Sequence, residues 1–139
     1  HRILTLANAV ADRVEYTKGS TTVADSAMQA FDNGRGVCQD HSHVMLACLR
    51  AHNIPARYVS GYFFNPNVEQ HDSHAWVEVF DKDRGQWLGV DATHKALVRG
   101  NHCRLAVGKD FTGASPVRGI RTGGGQESLE VAVTIQRVD

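Results

Sequence analysis

The spacing of apolar positions changes partway along this chain, and with it the kind of element predicted. Ile3, Leu6, Ala7, Val10 and Val14 recur at helical spacing and predict an amphipathic helix over residues 2 to about 14. Thr17 to Thr22 reads as a polar turn around Gly19. Ser26 with Gln29 fits a capping box, opening a short helix with Ala27, Ala30 and Phe31 on one face and Asn33-Gly34 as its stop. After Cys38 the chain is polar through position 43, then apolar on every side from Val44 to Leu49, the pattern of a central helix covered by other elements. That helix is expected to end near His52-Asn53, because Ile54 precedes a proline and is biased out of the helical region.

Beyond Pro55 the period shortens to two. Ala56 to Phe64 is rich in β-branched and aromatic residues and predicts a strand, followed by a loop over 65–72. Residues 73 to 80 alternate, with Ala75, Val77 and Val79 facing one way and His74, Trp76, Glu78 and Phe80 the other. Asp81 to Gly85 is a hairpin turn, and Gln86 to Val90 returns as the partner strand with Asp91 at its end. Arg104 to Val107 and Leu129 to Arg137 are further strand candidates, with Gly123-Gly124-Gly125 as a connection rather than a phosphate loop. Helices first and an antiparallel meander second predict an α+β fold, in one domain spanning residues 1–139.

Charge narrows the partners. Lysine plus arginine balance aspartate plus glutamate at 15 each, which leaves no electrostatic case for nucleic acid or an anionic membrane surface. No apolar run approaches the roughly 18 residues a membrane helix needs. The three cysteines are an odd number, and Cys38 and Cys48 lie ten residues apart on one predicted helix, roughly 15 Å and too far to bridge. A reducing, cytoplasmic setting is expected.

The chemistry centres on Gly34-Arg35-Gly36-Val37-Cys38-Gln39-Asp40-His41, a glycine-rich turn that delivers a cysteine to the first turn of the central helix. Unpaired amides and the helix dipole at that end favour a thiolate, so a lowered thiol pKa is expected. His74 opens a strand, and the hairpin returns Asp91 beside it. Pairing position 80 with about 86 sets 76 opposite 90 and 74 opposite 92, bringing Asp91 next to His74. A cysteine, a base and a carboxylate that orients the base follow the logic of papain-type catalysis.

Four blocks carry a resemblance: Gly-Val-Cys-Gln-Asp (36–40), Ile-Pro-Ala-Arg-Tyr-Val-Ser-Gly-Tyr (54–62), Ser-His-Ala-Trp-Val-Glu-Val (73–79) and Trp-Leu-Gly-Val-Asp-Ala-Thr (87–93). Together with 104–111 and 116–119 they resemble bacterial members of the transglutaminase-like superfamily. The resemblance implies a papain-like core, with the nucleophile at the start of a central helix packed on an antiparallel sheet. It assigns Cys38 as nucleophile, His74 as general base and acid, and Asp91 as orienter. It further implies acyl transfer through a thioester, on a peptide or protein substrate, with no cofactor. Two positions depart from the pattern: His41 stands where relatives carry a bulkier aromatic, and Ala92 where they carry proline. The family's N-terminal β-rich region is absent, and the chain, which begins at His1, is expected to be part of a longer one.

Around this trio, the Cys38 amide is an expected oxyanion donor, and Gln39 is a polar neighbour for the same role. Trp76 is expected to shield the His–Asp pair, to wall the cleft or to fill the core, and Tyr62 to border the cleft. Eight histidines also raise a metal-binding reading through His41, His43, His71, His74, His94, His102 and Cys103. Only His71 and His74 have a ligand-like spacing, and no metal site is assigned. A non-catalytic binding relative is the third class. Hydrolysis is favoured over transamidation, because no second-substrate feature stands out. Oligomeric state is left open.

Overall fold

The computed structural model describes residues 2–138. Helix α1 (Arg2–Arg13) buries Ala7 and Val10 and leads into a two-residue strand, β1 (Glu15–Tyr16). Helix α2 (Ala27–Asn33) opens with the expected capping box: Gln29 N donates to Ser26 Oγ at 3.2 Å, and Ser26 N to Gln29 Oε1 at 2.6 Å. It stops where Gly34 turns left-handed, with φ of 68°. Strand β2 (Arg35–Gly36) then pairs in parallel with β1, a short ladder absent from the sequence expectation. Helix α3 (Cys38–Ala51) follows directly and buries Val44, Met45, Leu46 and Leu49.

The remaining strands are β3 (Ala56–Phe63), β4 (Ser73–Asp81), β5 (Gln86–Asp91), β6 (Ala96–Leu97) and β7 (His102–Gly108), before a short helix, α4 (Phe111–Ala114). They form one antiparallel sheet in the order β6-β5-β4-β3-β7, a meander whose last strand crosses to the far edge beside β3. The helices-first, antiparallel-sheet-second arrangement is therefore the observed one. Ala75, Val77, Val79 and Val90 pack with the apolar side of α3 and with α1 into one core.

Two expectations are corrected. The β4–β5 register is one residue away from the expected pairing: Asp81 pairs with Gln86, Phe80 with Trp87 and Val77 with Val90. Since side chains alternate between faces, a one-residue slip exchanges the faces. The expected register would set Asp91 opposite Ala75 on the core face; the observed one carries Asp91 onto the face of His74 and Trp76. Asp81 Oδ1, accepting the Asp83 and Arg84 amides, and Gly85, at φ of 64°, shape the turn that sets this register.

The other face of β4 is buried as well, at His74, Trp76 and Glu78. Second, Leu129 to Arg137 forms no strand; the segment is joined to the body through the His71 amide and the Val133 carbonyl at 2.8 Å.

Candidate active site

Cys38 is the first residue of α3, and the loop before it is shaped by a close approach. Asp40 Oδ2 accepts the Val37 amide at 2.8 Å and the Thr21 hydroxyl at 2.6 Å. The Asp40 carboxylate lies so near Gly36 that a Cβ there would sit 2.6 Å from Asp40 Cβ. Glycine at 36 is thus a steric requirement for the turn that presents the cysteine.

Cys38 and His74 line one cavity of about 570 Å³, together with Gln39, Tyr16, Tyr58, Tyr62 and the segment carrying Leu129, Val131 and Val133. The backbone amides of Ala75 and Gln39 point at the Cys38 sulfur. Contrary to the expectation of a lowered thiol pKa, burial pushes the Cys38 thiol from 9.0 up to about 11. The Ala75 amide pulls it down and the Asp91 carboxylate pushes it up again. Desolvation of the thiolate outweighs what the helix end offers.

On the neighbouring strand, His74 Nε2 donates to Asp91 Oδ2 at 2.7 Å. This leaves His74 Nδ1 as the nitrogen able to accept a proton. The Asp91 carboxylate is fully buried and is held by more than His74. His102 Nε2 donates to the same Oδ2 at 2.9 Å and His94 Nδ1 at 2.7 Å, while the His94 amide donates to Oδ1 at 3.2 Å. Burial alone would raise the pKa of this carboxyl. The hydrogen bonds from His102, His74 and His94 overcome that and hold it well below the usual carboxylate range. The bond to Asp91 in turn raises His94, against partial burial.

Trp76 lies against His74 and His102, at ring distances of 5.9 and 5.0 Å, and is fully buried. It is not among the residues lining the cavity, and its buried ring covers His74 and His102 from inside the fold. Gly61 makes room for it, since a Cβ there would meet the Trp76 ring at 2.7 Å and the Cys103 carbonyl oxygen at 2.1 Å. Tyr62 borders the cavity as expected, and so does Gln39, whose Nε2 is buried with no hydrogen-bond partner.

His41 has a different task. Its Nε2 donates to the Val14 carbonyl at 2.6 Å and its Nδ1 accepts from the Thr93 hydroxyl at 2.8 Å. Burial lowers its pKa. A histidine at this place ties α3 to the end of α1 and to the turn that follows Asp91.

The metal-ligand reading gathers differently from the expected His71–His74 pair. The His71 ring stacks on Phe64, whereas ligand-type atoms of His74, Asp91, His94 and His102 all lie within 4.8 Å of one another. They are arranged as spokes on a hub, with Oδ2 at 2.7 to 2.9 Å from a nitrogen of each of the three histidines. His94 and His102 had no assigned role in the sequence because their partner, Asp91, is reached through a turn and from the far sheet edge. The signal available for His94 was its position three residues after Asp91.

The chain belongs to the transglutaminase-like superfamily, whose core model matches residues 1–92. It is similar to an uncharacterised protein of Mycobacterium leprae (strain TN), at 36% identity over 133 residues, covering 91% of this chain and 46% of that one. A protein-glutamine gamma-glutamyltransferase of Pseudomonas aeruginosa is 35% identical over 103 residues, covering 66% of this chain and 15% of that protein. Among solved structures, a proposed cysteine protease from Cytophaga hutchinsonii superposes with a TM-score of 0.73 at 34% identity, over 82% of this chain and 38% of the other. The chain thus spans less than half the length of these relatives. The papain-like, transglutaminase-like fold expected from the sequence is the one observed.

Proposed function

We propose that this domain carries out cysteine-dependent acyl transfer on an amide of a peptide or protein, with Cys38 as nucleophile, His74 as base and acid, and Asp91 as orienter. The observation that carries the reading is the 2.7 Å His74–Asp91 contact on the wall of the cavity that Cys38 opens into.

In the resting site the thiol keeps its proton. As the acyl carbon approaches, the Cys38 sulfur bonds to it and the thiol proton passes to His74 Nδ1. Asp91 holds the other ring nitrogen and stabilises the imidazolium. The carbonyl oxygen takes up negative charge, for which the Cys38 amide and the unpartnered Gln39 Nε2 are the available donors. Collapse breaks the C–N bond, and His74 returns its proton to the leaving amine. The resulting thioester is attacked by water, which gives up a proton to His74, releasing the acid and restoring the thiol.

Water is the favoured second acceptor, because no feature of the cavity marks a seat for an amine. Transamidation is the second reading, favoured by the similarity to a protein-glutamine gamma-glutamyltransferase. Incubation with an activated acyl donor, p-nitrophenyl acetate, followed by intact-mass and peptide mapping, tests the proposal. An acetyl adduct on Cys38 that His74→Ala abolishes supports it, and partition of that adduct with and without added glycinamide separates the two acceptors. No adduct, or one indifferent to His74, overturns it.

A further inference from the structure

We propose that His102, joined by His94, is a positioning residue for the acyl-transfer site: the two hold Asp91 so that His74 is fixed in one tautomer with Nδ1 toward the cavity. This inference rests on the functional reading of Cys38 and His74 given above.

Asp91 Oδ2 receives three N–H groups, from His74, His94 and His102, and Oδ1 receives the His94 amide. A fully buried carboxylate bonded on both oxygens is held in one orientation, and three histidine donors on Oδ2 make that oxygen a poor acceptor for a further proton. The proton that His74 gains during reaction therefore stays on the ring.

The two additional histidines differ in how firmly they are held. The His102 side chain is 4% exposed and its ring packs edge-on to Trp76 and Phe63, at 5.0 Å from each. The Arg99 amide donates to His102 Nδ1 at 3.3 Å, which commits Nε2 to carry the hydrogen that Asp91 accepts. His94 stacks on Phe63 at 4.1 Å, but its side chain is 39% exposed. Phe63 touches His74, His94 and His102 alike, so one aromatic ring spaces all three spokes. His102 is accordingly the sealed and permanent support, with His94 the one open to solvent.

Amide side chains separate donation from shape, because glutamine places an N–H where histidine has Nε2 and asparagine where it has Nδ1. Single-turnover acylation of Cys38 by p-nitrophenyl acetate is measured across pH for His102→Gln, His102→Phe, His94→Asn and His94→Phe. Imidazole tautomers are read in parallel by long-range proton–nitrogen correlation in the labelled protein. The expected result is near wild-type acylation for His102→Gln and His94→Asn. A loss of about 10-fold to 100-fold is expected for His102→Phe, the range typical of outer partners of a working group, with mixed His74 tautomers and a smaller loss for His94→Phe.

Equal rates for the glutamine and phenylalanine variants at 102, or a wild-type His102 protonated on Nδ1, would overturn the assignment. If His102→Phe does not fold, the His94 pair and the wild-type spectrum carry the decision. Absence of Cys38 acylation in the wild type defeats the functional reading instead, and the tautomer spectrum still reports on the hub.

Discussion

Raising the pH probes the Cys38 thiol directly. Burial moves its pKa from 9.0 to about 11, so at any pH below 9 the thiolate fraction is roughly a hundredfold smaller than for an ordinary cysteine. Iodoacetamide labelling followed peptide by peptide in a mass spectrometer measures this. The reference is an unstructured peptide carrying residues 34–43. The Cys38 rate constant should lie about a hundredfold below the reference at pH 7.5 and should inflect near 11. The same shift has a thermodynamic face. A group whose proton is held more tightly in the folded state contributes stability that is complete below its unfolded pKa and is lost as pH rises through the folded one. Between about pH 9 and pH 11 the protein should therefore lose about 2–3 kcal/mol that Cys38→Ala does not lose. Urea denaturation at several pH values reads that difference. An inflection at or below 9, abolished by His74→Ala, would refute the reasoning and show that pairing with an imidazolium outweighs burial.

Two substitutions test the scaffold. Gly61→Ala places a methyl 2.1 Å from the Cys103 carbonyl oxygen and 2.7 Å from the Trp76 ring, and should destabilise by about 3 kcal/mol or more in urea denaturation; an unchanged midpoint would mean that β3 and β7 part freely. His41→Phe keeps an aromatic ring at this place but leaves the buried Val14 carbonyl without its donor, an expected cost of about 1–3 kcal/mol by the same assay.

Local chemistry was the legible part of the chain. Ser26 with Gln29, Gly34 and the polar-then-apolar run after Cys38 marked helix ends within a residue or two, because caps are decided by neighbours in sequence. Asp91 was the right partner for His74 reached through the wrong register: the hairpin was visible, but its turn geometry decides the pairing and is not written in the alternation alone. Leu129 to Arg137 had a strand's pattern but pairs with neither edge strand of the sheet, β6 or β7, because alternation alone does not say whether a segment finds a ladder to join. The thiol shift was misjudged because the helix end is a local feature, whereas desolvation comes from everything packed over it. His94 and His102 had no reading beyond a metal one, since three donors on a single oxygen emerge only when the turn after β5, the central strand β4 and the edge strand β7 come together.

The segment carrying Leu129, Val131 and Val133 supplies part of the cavity wall, although it belongs to no helix or strand. The width of the approach to Cys38 is therefore not a property of the helix and sheet alone. Whatever enters the cavity must run alongside that segment or take its place, and the His71 amide, now bonded to the Val133 carbonyl, is the contact that such a displacement would free.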